Sequence, residues 1–219
     1  MNLVEFNEKI KNNISTVMVG CDELVELILT SILVSGHVLL EDVPGLGKTM
    51  LAKSLAKTVD AEFKRIQFTP DLLPSDLTGI NYFNQQKGKF EFKRGPLFSQ
   101  IVLADEINRA APRTQSSLLE AMAENQITID GQTYELEQPF LVIATQNPVE
   151  SAGTFPLPEA QLDRFMMKLA LGYPELDQEK DIIMKHGKDN PIIDVKSAVS
   201  CEDILQAREE YKNVYFSDV

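Results

Sequence analysis

The sequence predicts an α/β fold in which helices cover both faces of a central, parallel, five-stranded sheet. Two observations lead to this prediction: five short apolar runs recur along the chain, and helical patterns separate them. Parallel strands need helical crossovers and become apolar on both faces, so the alternation favours three layers. The runs are "HVLLE" (37–41), "FKRIQFT" (63–69), "IVLADE" (101–106), "FLVIATQN" (140–147) and "FMMKLAL" (165–171).

Helical patterns lie at both ends of this alternation. Apolar residues at helical spacing over 3–17 and again over 22–34 predict two amphipathic helices ahead of the first strand. Near the other end, "GYP" at 172–174 breaks the pattern, and the residues that follow are polar and helical. We therefore predict a core domain over 1–172 and, over 173–219, a linker followed by the beginning of a second, helical domain.

Two segments interrupt the rhythm and have the pattern of β-hairpins. Residues 82–92 turn at 87–88, and residues 126–136 turn at 130–131, an Asp-Gly pair that tolerates the positive φ of tight turns. Judged from their residues alone, both segments are ordinary hairpins at the edge of a sheet.

Composition narrows the functional classes. A net charge of −12 over 219 residues argues against a nucleic-acid partner, because phosphate backbones are bound by clustered Lys and Arg. No apolar run approaches the roughly 18 residues of a membrane span, so we expect a cytoplasmic protein. Cys21 and Cys201 lack the spacing of a zinc site, which favours reduced structural thiols. His37 and His186 are isolated and fit packing or surface positions better than metal ligation.

The stretch "EDVPGLGKT" has the composition of a phosphate-binding loop. Gly45 and Gly47 allow backbone N–H groups to converge on an anion, and Lys48 adds a positive charge at the start of a predicted helix. The pattern G-x-x-x-x-G-K-[ST] is met at Gly47, Lys48 and Thr49, whereas Asp42 stands where its first Gly is expected. The position between a strand and a helix supports the phosphate loop despite this departure.

Acidic residues at the end of a later strand complete the pattern of a three-layer P-loop nucleoside triphosphatase. Asp105 would hold Mg²⁺ together with Thr49, and Glu106 would orient or deprotonate the attacking water. Asn147 ends another strand at the same predicted sheet edge, where α/β folds bind ligands. Asn147 could contact the γ-phosphate or the water. Taken alone, it also fits an ordinary Asn-Pro turn.

The chain resembles the MoxR group of AAA+ ATPases in six motifs that follow the group's order. The motifs are "GHVLLEDVPGLGKT", "DLLPSDLTG", "LADEINRA", "TQSSLLEAM", "ATQNP" and "LPEAQLDRF". The resemblance covers nearly the whole chain and implies ATP and Mg²⁺ as cofactors. It also implies a homo-oligomeric ring, usually a hexamer, that acts as a chaperone-like remodeller or maturation factor for partner proteins. Such a partner is often a von Willebrand factor A domain protein.

The resemblance implies roles for individual residues. It places Asp105 and Glu106 in Walker B, Asn147 at sensor 1, and Arg164 as an arginine finger that reaches the nucleotide of a neighbouring subunit. The nucleotide-binding positions that it implies are Val19, Gly20, Pro44, Gly45, Leu46, Gly47, Lys48, Thr49 and Met50. Cys21 departs from the Gln that is common there. We expect only the beginning of the family's helical lid in this chain, without its sensor-2 arginine, because Arg208 does not match that motif.

Other interpretations of the same residues stay open. Arg109 and Arg113 either line a subunit interface or are solvated charges. A P-loop kinase or transferase that acts on a small molecule would use the same loop without residues supplied by a neighbour, and a nucleotide-gated scaffold would dispense with Glu106. A GTPase is disfavoured because no Asn-Lys-x-Asp stretch occurs, and the acidic balance counts against a helicase.

Overall fold

The computed structural model describes residues 2–43, 45–148, 153–186, 191–193 and 195–215. Its helices and strands alternate as the sequence predicts, and the ends of most elements lie within one to three residues of the predicted ones. The strands are β1 (Val38–Glu41), β2 (Phe63–Gln67), β3 (Gly79–Asn84), β4 (Lys89–Arg94), β5 (Ile101–Asp105), β6 (Gln126–Ile129), β7 (Gln132–Glu135), β8 (Leu141–Gln146) and β9 (Met167–Leu169). The helices are α1 (Leu3–Ser15), α2 (Asp22–Leu33), α3 (Lys48–Thr58), α4 (Pro74–Thr78), α5 (Pro112–Glu124), α6 (Glu159–Leu162), α7 (Leu176–His186) and α8 (Cys201–Tyr211).

The five apolar runs form one parallel sheet in the order β2-β5-β8-β1-β9, which confirms the predicted fold class. The three central strands are almost entirely buried, because helices cover both of their faces. The edge strand β2 differs, since Ile66 is its only buried residue. The carboxyl ends of β5, β8 and β1 therefore lie side by side at one edge of the sheet.

Alternating side chains of the sheet enter two separate cores. Leu40, Leu103 and Ile143 pack with residues of α1, α2, α3 and α8 on one face. Leu39 and Val102 lie on the other face, where they pack with residues that include those of α5. The period of two along each strand thus produces the predicted three layers.

Both predicted hairpins are present. Strands β3 and β4 pair antiparallel, as do β6 and β7, and the second hairpin turns at Asp130 and Gly131 with φ of 50° and 80°. The two hairpins contact each other, because Asn81 donates a hydrogen bond to Asp130 over 2.8 Å and Phe92 stacks on Tyr134. At the far end of the first hairpin, an edge-to-face pair of phenylalanines, Phe83 and Phe90, is exposed to solvent.

The segment after residue 172 contributes to the same core. Ser200 caps α8 through a reciprocal capping box with Asp203, as its sequence suggests. Ile204 and Ala207 of this helix are buried against α1 and α2. The division after residue 172 and the assignment of 173–219 to a lid stay predictions. Among the described residues, no helix has the length and apolarity needed to cross a membrane.

Buried His37 precedes β1 and serves as a packing residue, as expected. The backbone N–H of Val142 donates to its Nδ1 over 3.0 Å, so Nε2 carries the proton and donates to the Met122 carbonyl over 3.1 Å. Cys21 and Cys201 are free thiols of intermediate exposure. The side chain of His186 lies outside the described residues.

Candidate active site

The glycine-rich loop leaves β1 and leads into α3. Gly45 and Gly47 have φ of 93° and 87°, values that side-chain-bearing residues rarely adopt. A Cβ on Gly45 would meet no described atom within 4 Å, so backbone conformation rather than crowding requires glycine there. The helix begins at Lys48 and directs the positive end of its dipole at the loop. Pro44 lies outside the described residues.

A hydrogen bond between Lys48 and Asp42 connects the two ends of the loop. The Lys48 Nζ donates to the Asp42 carbonyl over 2.7 Å. Burial lowers the pKa of Lys48, while the negative charges of Asp42, Asp105 and Glu106 oppose that shift. The charge that a phosphate would meet is therefore already partly desolvated.

Asp42, which replaces the first glycine of the pattern, has a structural use. Its carboxylate accepts the backbone N–H groups of Leu171 over 2.5 Å and Gly172 over 3.4 Å. The residue is buried, and it is not among those with a positive φ, so the backbone does not need glycine there. Asp42 thus fastens the loop to the chain that follows β9.

Asp105 ends β5 with both of its carboxylate oxygens in hydrogen bonds. Oδ1 accepts from the Thr145 hydroxyl over 2.6 Å, and Oδ2 accepts from Arg65 through Nη2 over 2.6 Å and Nε over 3.1 Å. The Thr145 hydroxyl in turn accepts the Glu106 N–H over 2.8 Å. Neighbouring strands thereby fix the position of Asp105.

Glu106 has a left-handed backbone, with φ of 58° and ψ of 50°. A non-glycine residue rarely adopts this conformation, and such strain clusters at functional sites. Its Oε2 accepts from Gln67 Nε2 over 2.7 Å and lies 3.1 Å from Arg109 Nε. The predicted catalytic carboxylate is therefore held between an amide and a guanidinium.

These residues line a polar cavity of about 480 Å³. A second, more apolar cavity of about 470 Å³ shares Gly45 and Gly47 with the first, so the two meet at the loop. The first is lined by Asp42, Gly45, Gly47, Lys48, Thr49, Arg65, Gln67, Asp105, Glu106, Thr145 and Asn147. The second is lined by residues that include Val17, Met18, Val19, Gly20, Cys21, Leu46, Met50, Tyr173, Pro174, Gln178 and Ile182. A polar chamber joined to an apolar one suits a polyphosphate that carries a planar ring.

The structure brings most of the predicted site residues to these two cavities. Thr49 and Asn147 reach the polar one, and the residues predicted to surround the base reach the apolar one. Arg164 does not join them. It lies in a separate hollow of about 290 Å³ and donates to the Leu119 carbonyl over 3.1 Å. Arg113 is exposed on α5.

Sequence reasoning missed several residues that line the site. Arg65 and Gln67 lie two residues apart on β2, a segment whose sequence predicts only an apolar strand. Thr145 lies within the quoted motif "ATQNP" and received no role. Tyr173 and Pro174 were interpreted as the end of the domain, yet they close the apolar cavity.

The oxygen donors in the polar cavity fit a magnesium ion that also binds phosphate. Asp105 and Thr49 supply a carboxylate and a hydroxyl. Mg²⁺ typically takes only a few of its ligands from the protein and the others from water and phosphate. Among the described residues, no cluster of three or more His, Cys, Asp or Glu could hold a metal alone. Water or a bound phosphate would supply the remaining ligands of a metal held here.

Comparison with known proteins settles the family. The model of the ATPase family associated with various cellular activities (AAA) matches residues 37–167. The chain belongs to this AAA ATPase family. The match begins just before β1 and ends at the start of β9, so it contains the phosphate loop and both acids. Members of the AAA family thus share the part of the fold that forms the polar cavity.

Relatives assign the chain to the MoxR type of AAA ATPase, which confirms the resemblance. Chaperone MoxR1 of Mycobacterium tuberculosis is 45% identical over 196 residues, which cover 90% of this chain and 52% of that protein. The Bacillus subtilis protein YeaC is 52% identical over 210 residues, covering 96% of this chain and 66% of that protein. A solved structure of a candidate ATPase from Cytophaga hutchinsonii superimposes with a TM-score of 0.89 at 48% identity, covering 98% of this chain and 66% of that one. The AAA chain described here therefore spans between half and two thirds of these relatives.

Proposed function

We propose that this chain binds ATP with Mg²⁺ in the cytoplasm and hydrolyses it as part of a homo-oligomeric ring. Such a ring is usually a hexamer in the MoxR group. The observation that carries the proposal is the pair of cavities joined at Gly45 and Gly47. The loop amides, Lys48 and the α3 N-terminus would hold the phosphates, and the cavity beside Val19 and Gly20 would take the adenine.

The acids at the sheet edge divide the chemical work in this proposal. Asp105 and Thr49 would hold Mg²⁺, which neutralises phosphate charge and helps to position the reacting groups. Glu106 would exchange its bonds to Gln67 and Arg109 for a water molecule and take the water's proton as it attacks. Asn147 lines the same cavity and would contact the γ-phosphate or that water.

The position of Arg164 supports assembly into a ring. Its guanidinium lies in a hollow apart from the polar cavity, beside Glu120 and Glu124 of α5. The MoxR resemblance implies that Arg164 acts on the nucleotide of a neighbouring subunit, and its distance from this chain's own polar cavity is consistent with that role. A small-molecule kinase would need no such residue, so we rank the kinase and the nucleotide-gated scaffold second.

We further propose that the ring remodels or matures partner proteins, among them a von Willebrand factor A domain protein. One relative is named a chaperone, which supports this role. The exposed phenylalanines at the end of the first hairpin supply an apolar surface of the kind that contacts other proteins.

Replacing Lys48 tests the phosphate loop directly. We expect Lys48→Ala to weaken binding of a non-hydrolysable ATP analogue by roughly a hundredfold, because a charge-assisted contact to the phosphates is lost. Calorimetry measures this. Lys53→Ala is the matched control, since Lys53 is exposed on the same helix. Equal affinity in the two variants would exclude the phosphate loop as the nucleotide site.

A further inference from the structure

The edge strand β2 places two polar side chains over the catalytic end of β5. Arg65 and Gln67 are separated by one residue, so they project from the same face, and Gln67 is in register with Asp105. Arg65 extends along the sheet and binds the Oδ2 of Asp105 through both Nη2 and Nε. A guanidinium thus occupies the carboxylate that the proposed function gives to Mg²⁺.

The contact leaves little room for a metal at Asp105. Its other oxygen already accepts from the Thr145 hydroxyl, so both carboxylate oxygens are engaged. Each carboxylate oxygen can accept more than one bond, but a cation at Asp105 would share it with a bound guanidinium, which covers Oδ2 and repels the cation by its positive charge. Thr145 is nearly fully buried between its neighbours, whereas the Arg65 side chain is 45% exposed. Arg65 is therefore the partner that can move.

Arg65 also has a second acceptor to retain after it leaves Asp105. Its Nη2 donates to Gln67 Oε1 over 2.6 Å. In the ion pair, the Arg65 side chain is 45% exposed and the Asp105 side chain 16% exposed, so solvent weakens the pair from the arginine side, where a competing cation can break it. The neighbouring Lys64 contrasts with Arg65, since it pairs with Glu62 over 3.4 Å and does not line the polar cavity.

We propose that Arg65 competes with the divalent cation for Asp105 and so makes metal binding dependent on the nucleotide. This inference rests on the proposed function for the role of Asp105. Without nucleotide, the guanidinium neutralises Asp105 and a cation gains too few ligands to displace it. With phosphates in the loop, the cation gains further oxygen ligands and Arg65 yields. Arg65 is in this account a positioning residue.

Binding of Mn²⁺ to the nucleotide-free chain tests the proposal without any measurement of hydrolysis. We expect Arg65→Gln to tighten Mn²⁺ binding by about three- to tenfold, measured by electron paramagnetic resonance of the free ion. Arg65→Lys keeps the charge but loses the paired donors, so it should fall between the wild type and Arg65→Gln. Lys64→Gln removes a positive charge from the same strand and should leave Mn²⁺ affinity unchanged.

A double variant separates competition at Asp105 from a general effect of charge. In an Asp105→Asn background, Arg65→Gln should produce no gain in Mn²⁺ affinity, because the contested carboxylate is gone. A gain that persists there, or equal gains in Arg65→Gln and Lys64→Gln, would reduce the effect to general charge and overturn the proposal. An unchanged or weaker Mn²⁺ affinity in Arg65→Gln would overturn it as well.

Affinity for the ATP analogue in EDTA supplies the last measurement. A tenfold or greater loss in Arg65→Gln would make Arg65 a phosphate ligand and overturn the proposal, whereas a smaller change fits a role confined to Asp105. If Lys48→Ala bound the analogue normally, the proposed function would fail by itself, while the nucleotide-free Mn²⁺ measurement would still decide the role of Arg65.

Discussion

Polar side chains form a group at each end of β1, one of the three central strands, and the two groups are built in different ways. The cluster at the amino end of β1, called the buried cluster after its buried members His37 and Arg208, also contains the partly buried Asn125 and Gln138. The cavity cluster beyond its carboxyl end comprises Arg65, Gln67, Asp105, Glu106 and Thr145. His37 and Arg208 are only 3% and 8% exposed, whereas the members of the cavity cluster line an open chamber.

The hydrogen bonds of the buried cluster tie distant parts of the chain together. Arg208 donates from α8 to the Ile32 carbonyl over 3.0 Å and to Gln138 over 2.9 Å. Gln138 donates to Asn125 over 3.0 Å. Breaking a bond in a buried place leaves a polar group unsatisfied, which is costly. In the cavity cluster the bonds of Arg65, Gln67 and Glu106 face the open chamber, where another ligand can replace them, while that of Thr145 is buried. The difference separates polar groups that hold the fold from polar groups that can react.

The largest effect that we expect concerns Arg164, which belongs to neither cluster. In a version of the chain that assembles into rings, Arg164→Ala should slow ATP hydrolysis by up to about 10³ to 10⁵, because a guanidinium near the γ-phosphate stabilises transition-state charge. Mixed with Lys48→Ala, it should recover partial activity, since some interfaces then pair an intact site with an intact arginine. Steady-state ATPase assays on single and mixed variants measure this.

Arg94→Ala is the matched control for Arg164, because Arg94 is an exposed arginine of β4 to which no interface role is assigned. Full activity of Arg164→Ala, or wild-type specific activity that stays flat on dilution below ring dissociation, would favour the small-molecule kinase.

A smaller effect on rate should follow from changing the cavity cluster. Glu106→Gln should slow hydrolysis by about a hundredfold or more while ATP and Mg²⁺ stay bound, because the base is lost but Asp105 remains. Its urea unfolding midpoint should stay close to that of the wild type. Glu209→Gln is the control, because Glu209 is exposed on the solvent side of α8. Wild-type hydrolysis by Glu106→Gln would mean that the two acids have been assigned wrongly.

The buried cluster should instead affect stability through pH. Burial, together with the charge of Arg208, lowers the pKa of His37 from 6.5 to about 4, against the opposing hydrogen bond to Met122. The unfolded chain therefore takes up a proton between pH 6.5 and 4 that the folded chain refuses. Folding should lose about 3 kcal/mol from this residue as pH falls through that window. Above pH 6.5 the contribution is fully present.

Urea titrations of the wild type and His37→Asn across pH 4 to 7 check this expectation. Asn can still accept from the Val142 N–H, so the variant should fold with lower stability at pH 7 and lose less of it on acidification. His186→Gln separates the titration of the other histidine. Parallel stability profiles for the wild type and His37→Asn would contradict the assignment.

The sequence was informative where local chemistry determines local structure. Apolar runs predicted the five strands because strands buried on both faces need apolar residues, and the Asp-Gly turn predicted the second hairpin. Gly47, Lys48, Asp105 and Glu106 could be identified because they occupy fixed positions after strands.

Contacts between distant residues could not be predicted in this way. Arg208 lies 176 residues from Ile32 along the chain, and only the packing of α8 brings them together. Arg65 lies within a predicted strand and has no motif of its own, and no local pattern indicates that β2 lies beside β5. The role of Asp42 was likewise hidden, since its partners follow β9.

Asp42 gives the phosphate loop a mechanical connection to the rest of the chain. Its carbonyl holds Lys48, and its carboxylate holds the amides at 171–172, immediately before the Tyr173 and Pro174 that line the apolar cavity. A displacement of the loop must therefore either pull that outgoing segment with it or break two hydrogen bonds at a buried carboxylate. With glycine at position 42 the carboxylate that links the loop to residues 171–172 would be missing, and the two cavities could change shape independently.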